Sequence, residues 1–257
     1  MEILVCVKRV PDTSENEIEL NSAGNDIDRD DLVYSVNEWD NYAVEEALQI
    51  VDKVGGSVTV VSVGDDEAEE VLRREMAMGA EKGLLLSDDA FEETDGRGIA
   101  TVLKAAVDKG QYDLILTGAQ ADDGAGQVGG MLAAMLDVPF ASLVNTITVD
   151  GDKLKIGREI EGGNQEMHAI SLPCVLSIQT GINEPRYVGI RGIRKVASVE
   201  IPTMGAGDLG VDVSAAKVKR LDYFLPDMGE GAEMLEGSTE EIIDKLVELL
   251  KAKGGLK

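Results

Sequence analysis

Apolar and polar positions alternate along the first two-thirds of this chain in two rhythms. Residues 3–10 form a continuous apolar run, of the kind buried on both faces of a parallel sheet. Residues 40–54 switch to a helical period: Ala43, Val44, Ala47, Leu48 and Val51 share one face, and Gly55-Gly56 ends it. The strand rhythm returns at 57–63, 83–86 and 112–116. Between these runs lie helical patterns at 66–78, with Ala68, Val71, Leu72 and Met76 inward, and at 98–107, with Ile99, Val102, Leu103, Ala106 and Val107 inward. A further helix-like run covers 131–136. The βαβαβαβα series predicts an α/β fold, a doubly wound and mostly parallel sheet with right-handed crossovers.

The pattern then changes. Residues 140–149, 153–159 and 167–180 are strand-like, separated by Asp150-Gly151-Asp152 and Glu161-Gly162-Gly163-Asn164. An Asp-Gly pair between apolar alternations is a hairpin signal, so an antiparallel β extension is expected. Regularity falls away from about residue 199, where Gly205, Gly207, Gly210, Gly229 and Gly231 are scattered. The last helix, 238–253, opens on Ser238 with Glu241 three residues later and carries an Ile242, Leu246, Leu249, Leu250 stripe. The chain thus divides into an α/β domain, 1–198, and a C-terminal arm ending in a helix, 199–257. Such an arm needs a surface to lie on, and a second subunit supplies one.

Composition narrows the function classes. The 257 residues are 44% hydrophobic, enough for a substantial core, but only 4% aromatic. With 49 Asp and Glu against 24 Lys and Arg, the net charge is −25. Scarce stacking platforms and repulsion from a phosphate backbone argue against nucleic acid. No apolar run approaches the roughly 18 residues of a bilayer span, and the start lacks a basic n-region, so a cytoplasmic protein without membrane insertion is expected. Cys6 and Cys174 each sit in apolar strand-like runs and read as buried, reduced thiols.

Residues 117–130, Thr-Gly-Ala-Gln-Ala-Asp-Asp-Gly-Ala-Gly-Gln-Val-Gly-Gly, connect a strand to a helix. Small residues let backbone N–H groups converge on an anion at a helix start. The spacing matches neither dinucleotide nor P-loop fingerprints, and the loop has no lysine for a γ-phosphate. A phosphate-bearing ligand held without phosphate chemistry is one reading; an ordinary strand-to-helix turn is the other. The loop lies among the segments leaving strand ends, 8–13, 64–67, 86–90 and 118–127, where such sheets bind ligands. No catalytic constellation emerges. The single histidine, His168, sits in an alternating strand segment, and neither a His-based triad nor a metal site can be assembled around it. Asp122-Asp123 reads as solvated or as a hydroxyl acceptor, and no catalytic or metal-ligating residue is nominated.

Several segments together resemble the β subunit of electron transfer flavoproteins. Asn183-Glu184-Pro185-Arg186-Tyr187, followed by Ile190-Arg191-Gly192-Ile193-Arg194-Lys195, is similar to that family's signature. Gly118, Gln120, Ala121 and Asp123, with Gln127 and Gly129, resemble its nucleotide loop. Lys8-Arg9-Val10, Asn37, Glu45-Glu46-Ala47, Met78-Gly79-Ala80 and Arg158-Glu159-x-Glu161-Gly162-Gly163 also fit, in order, so the resemblance covers essentially the whole chain. Asn37-Glu38-Trp39-Asp40, residues 176–183 and 234–237 resemble the methylotroph branch associated with trimethylamine dehydrogenase.

The resemblance implies an adenine-nucleotide-binding, HUP-like α/β domain in a heterodimer that carries electrons rather than catalysing bond chemistry. The alpha subunit would hold FAD, and this chain a structural AMP lined by Cys6, Asn37, Glu38, Trp39, Asp40, Val63, Gly118, Ala119, Gln120, Ala121, Asp122, Asp123, Gly124, Ala125, Gly126, Gln127 and Val128. Backbone amides of 123–128 would take the phosphate. It also implies docking of a flavin-containing dehydrogenase through Arg186, Tyr187, Ile190, Arg191, Ile193, Arg194 and Lys195, with Glu159 touching the FAD-bearing domain, and a quinone-linked oxidoreductase as acceptor. The cations cluster around Ile190 in an otherwise acidic chain, a plausible hot spot for an acidic partner. Two alternatives stay open: an electron-bifurcating subunit with a second FAD and NADH, and a standalone ATP-binding module of universal-stress type.

Overall fold

The computed structural model describes residues 1–92, 94–213, 217–218, 221–227, 229 and 231–256, so parts of the expected arm lie outside the described residues. Packing divides the chain into two units, Met1–Glu19 with Asp28–Leu221, and Leu20–Ile27 with Asp222–Lys257. In the larger unit the chain runs β1 (Glu2–Cys6), β2 (Arg9–Pro11), β3 (Tyr34–Val36), α1 (Glu38–Val54), β4 (Ser57–Val63), α2 (Glu69–Met78) and β5 (Lys82–Leu86). It continues through α3 (Gly96–Val107), β6 (Leu114–Gly118), α4 (Val128–Leu136), β7 (Phe140–Asp150), β8 (Lys153–Ile160) and β9 (Asn164–Ser171). Then come β10 (Cys174–Ile178), α5 (Ile190–Val196), β11 (Thr203–Met204) and α6 (Ala206–Leu209).

Among the described residues the main sheet has nine strands in the order β11-β5-β4-β1-β6-β10-β7-β8-β9. Strands from β11 to β7 are parallel; β8 and β9 add an antiparallel extension. The strand period of two divides each apolar run between two cores. Ile3, Val5, Val58, Val60, Leu114 and Leu116 face one way, against Ala43, Val44, Ala47, Leu48, Val71 and Leu72 of α1 and α2. Leu4, Val61, Ile115 and Val175 face the other, against Val102, Leu103, Ala106 and Leu132 of α3 and α4. Each Val, Leu or Ile among them contributes roughly 1.5–3 kcal/mol by leaving water. The fold is therefore the expected doubly wound α/β sheet.

Three elements differ from the sequence reading. The apolar run 3–10 is not one strand: after Cys6 the chain leaves the main sheet, and Arg9–Pro11 pairs antiparallel with Tyr34–Val36 in a separate ribbon. The run 167–180 is likewise two strands. Pro173, with no N–H to donate, separates the antiparallel edge strand β9 from β10, which turns back into the parallel sheet between β6 and β7. Residues 190–196, in which no helical pattern is read from the sequence, form a short helix.

The smaller unit holds α7 (Thr239–Ala252), whose Ser238 accepts from the Glu241 N–H while Glu241 returns a bond to the Ser238 N–H. That reciprocal cap is worth about 1 kcal/mol. No residue of α7 is buried. Among the described residues no helix is long and apolar enough to cross a membrane.

Candidate functional site

The chain leaves β1 through α1 to β4 and β5 on one side, then returns to place β6 and β10 on the other. The carboxyl ends of β1 and β6 therefore flank the topological switch point, where open α/β sheets bind ligands. Cys6 ends β1, Gly118 ends β6 and Val63 ends β4.

The first turn of α1 holds this crevice together. Asp40 is buried, and its carboxylate accepts from the Gly118 N–H at 2.9 Å and the Lys8 N–H at 2.8 Å, tying the ends of two neighbouring strands. Burial pushes its pKa up to about 7, against hydrogen bonds from Asn37, Gly118 and Lys8 that favour the charged form. Asn37 sits at the N-cap of α1 without capping it; its Nδ2 instead donates to the Gln120 carbonyl at 2.8 Å. Its Oδ1 is buried with no hydrogen-bond partner. Trp39 Nε1 donates to Gln179 Oε1 at 3.1 Å, while Glu38 points to solvent. Burial and the Asp40 charge push the Cys6 thiol up to about 12, so Cys6 is no nucleophile at neutral pH.

Residues 119–127 cross from β6 to α4. At Gly118 a Cβ would collide with Asp40 Oδ1 and stand 2.7 Å from Trp39 Cβ, which explains why nothing larger ends this strand. Gly126 has φ +63°, and its Cβ would lie 2.8 Å from the Ala119 carbonyl. The loop is thus folded back on itself in a form only glycine adopts without strain. Asp122, Asp123, Gly124, Ala125, Gly126 and Gln127 are exposed. Gln127, at the N-cap of α4, makes no side-chain bond to the helix end, so first-turn N–H groups stay available for an anion.

Two contacts were not legible from local sequence. Lys8, beyond β1, brings its ammonium 2.6 Å from Asp123 Oδ1, supplying the loop with a cation it does not itself contain. Behind the loop, the buried hydroxyls of Thr117 and Ser177 pair at 3.0 Å between β6 and β10. Both contacts join segments far apart in sequence, and no spacing rule announces them. Among the described residues, no three His, Cys, Asp or Glu side chains gather to hold a metal ion.

The second group of predicted residues lies on another face. Arg186 forms an ion pair with Glu45 of α1, Nε to Oε2 at 2.8 Å, and reaches Asp52 at 3.2 Å, so its charge is internally engaged. Arg191, Arg194 and Lys195 are exposed and find no acidic partner among the described residues. Beside them Tyr187 is 91% exposed, Ile190 67% and Ile193 52%. Glu159 is exposed on β8, opposite Gln165 of β9. His168, on the edge strand β9, is half-exposed and pairs with Glu166 at 2.9 Å.

Comparison with known proteins identifies the family. The electron transfer flavoprotein domain model matches residues 25–209. The electron transfer flavoprotein subunit beta of Thermoanaerobacterium thermosaccharolyticum is 36% identical over 260 residues, covering 98% of this chain and 99% of its own. That of Methylophilus methylotrophus is 36% identical over 262 residues, covering 97% and 98%. The caffeyl-CoA reductase-Etf complex subunit CarD of Acetobacterium woodii is 35% identical over 262 residues, covering 98% and 99%. With a family model over most of its length and full-length relatives in three organisms, this chain belongs to the electron transfer flavoproteins, as a beta subunit.

Proposed function

We propose that this chain binds AMP in the β1/β6 crevice and docks a flavin-containing dehydrogenase through α5. In this reading it lies, through its C-terminal arm, against an alpha subunit that holds FAD, and electrons pass on to a quinone-linked oxidoreductase. The observation that carries the nucleotide reading is the small-residue loop 119–127, fixed by Asp40 and Asn37 above the amino end of α4. The residues present fit an adenosine monophosphate. The unpartnered, buried Asn37 Oδ1 is an acceptor suited to an adenine amine. The α4 terminus and its glycines suit a single phosphate, which needs neither metal nor additional lysines. Lys8 moderates the negative potential that Asp122 and Asp123 would otherwise impose on an anion.

FAD supplies the redox chemistry of such a heterodimer. The residues of this chain serve placement instead: Ile190 as an apolar anchor, with Arg191, Arg194 and Lys195 steering an acidic partner. The relatives from Methylophilus methylotrophus and Acetobacterium woodii stand at nearly equal identity, 36% and 35%. The assignment to the trimethylamine-dehydrogenase branch therefore rests on the local motifs alone.

The test is mass spectrometry of the nucleotides released on denaturing the purified heterodimer. One AMP and one FAD per heterodimer is the expected result. Two FAD and no AMP would replace the proposal by the bifurcating reading, and ATP without flavin would overturn it.

A further inference from the structure

We infer that Glu45 is a positioning residue for the docking helix: buried in α1, its carboxylate fixes Arg186 and thereby sets the segment that presents Tyr187, Ile190 and Ile193. The inference rests on the docking reading above and concerns how that surface keeps its shape. Glu45 is 4% exposed and grips Arg186 in three ways. Its Oε2 accepts from the Arg186 backbone N–H at 3.1 Å and from Nε at 2.8 Å, and its Oε1 accepts from Nη2 at 3.2 Å. Gln49 adds a bond to Oε1 at 2.9 Å. Burial alone would raise the Glu45 pKa, yet the Arg186 and Gln49 contacts hold it below the usual glutamate range.

The neighbouring residue works alongside it. Glu46, also buried, accepts from Asn183 Nδ2 at 3.1 Å, and the same amide donates to the Tyr42 carbonyl at 3.1 Å. Two consecutive acids of one helix thus clasp both ends of the turn that precedes α5. The far end is held by α2. A Cβ at Gly192 would lie 2.6 Å from the Ala77 carbonyl, so α5 rests directly on the α2 backbone. Beyond it, Arg73 Nη1 donates to the carbonyls of Val196 at 2.7 Å, Val199 at 3.1 Å and Ala197 at 3.3 Å.

A helix of seven residues is too short to hold itself in water. Its shape must come from these two clamps, which leave Ile190 and Ile193 exposed. A bidentate carboxylate–guanidinium contact fixes direction as well as distance, which neither an amide nor a lysine reproduces. An anchor held in place in advance loses less freedom on binding, so the clamp strengthens docking without touching the partner.

The experiment uses the full heterodimer with Glu45→Gln, Arg186→Lys and Ile190→Asp. Three quantities are read: tryptic cleavage after the exposed Arg191, Arg194 and Lys195, bound nucleotide, and reduction by a flavin dehydrogenase chosen because it reduces the unmodified protein. Glu45→Gln should speed cleavage by about tenfold, since proteolysis tracks local opening, and raise KM several-fold with kcat and nucleotide content retained. If Glu45→Gln does not accumulate, Arg186→Lys should change cleavage and KM in the same direction. Wild-type cleavage rate and KM in whichever variant folds would overturn the inference. Ile190→Asp separates the two ideas. If it leaves reduction unchanged while Glu45→Gln still speeds cleavage, the docking reading falls and the clamp stands as a purely structural device.

Discussion

Glu75 is fully buried on α2, and neither carboxylate oxygen has a hydrogen-bond partner. Its only ion pair among the described residues is at the limit of contact, 3.9 Å from Arg74 Nε. Burial pushes its pKa up to about 8, the Arg74 charge opposing and the Asp40 charge reinforcing the rise. An acid whose pKa is higher in the fold than in the unfolded chain binds its proton more tightly when folded. Its contribution is therefore most favourable below the unfolded value, near 4.5, and is lost progressively as pH rises to about 8. Carried to neutral pH, the loss is about 3 kcal/mol, as an order of magnitude. Glu75→Met keeps the volume and removes the ionisable group. The melting temperature should rise, by several degrees more at pH 8 than at pH 5, in paired thermal scans. A shift of equal size at both values would show that the Glu75 pKa is not raised in the fold.

At the scale of elements, the loop 119–127 is the part most exposed to a decisive change. Gly126 carries a left-handed φ and has the Ala119 carbonyl where its Cβ would go. Gly126→Ala adds the contact with the Ala119 carbonyl and backbone strain, about 1–2 kcal/mol for a non-glycine residue held in that region, but no charge. Gly126→Glu adds strain and a negative charge where a phosphate is proposed to sit. If that proposal holds, Gly126→Ala should lower nucleotide retention and Gly126→Glu should abolish it, with melting temperatures of the two apo chains alike. Equal retention in both variants would remove the loop from the nucleotide site.

What was legible in the sequence follows from which signals are local. The runs that became β1, β4, β5 and β6 are apolar on both faces because both faces are covered, and their glycine and polar boundaries are punctuated within a few residues. The split at Pro173 was missed because apolar residues continue on either side, and only tertiary context sends β9 to an edge and β10 to the sheet interior. The α5 helix was missed for a related reason: Gly192 argues against helix locally, while contact with α2 decides it. The glycine loop could be read as anion-compatible from composition. Cys6, Asn37, Trp39 and Val63 as neighbours of that loop could not, and entered only through family resemblance. Lys8 entered through the family resemblance and the strand-end position, but its pairing with Asp123, across 115 positions, gave no signal.

At the scale of the whole molecule, exposed apolar surface concentrates toward the C-terminus. Phe224 is 82% exposed, Met234 81% and Leu225 66%. In α7, Ile243, Leu246, Leu249 and Leu250 are all more than 40% exposed, although they recur at the spacing of a buried stripe. A chain with net charge −25 is kept soluble by its charge, so this much apolar surface is not needed for folding and invites a covering partner. A beta subunit of this family has one in the alpha subunit. Replacing Leu246 and Leu250 together by glutamate puts charge on that stripe without altering helix propensity much. Co-expressed with the alpha subunit, the double variant should lose most of its association in size-exclusion chromatography, a few kcal/mol for two truncated apolar anchors. The β1/β6 crevice proposed to hold AMP lies in the other unit, so, if that proposal holds, the separated variant should still release AMP on denaturation. Retained association would place the subunit contact elsewhere. Loss of AMP along with the partner would show that the nucleotide depends on the assembled heterodimer rather than on this chain's own loop.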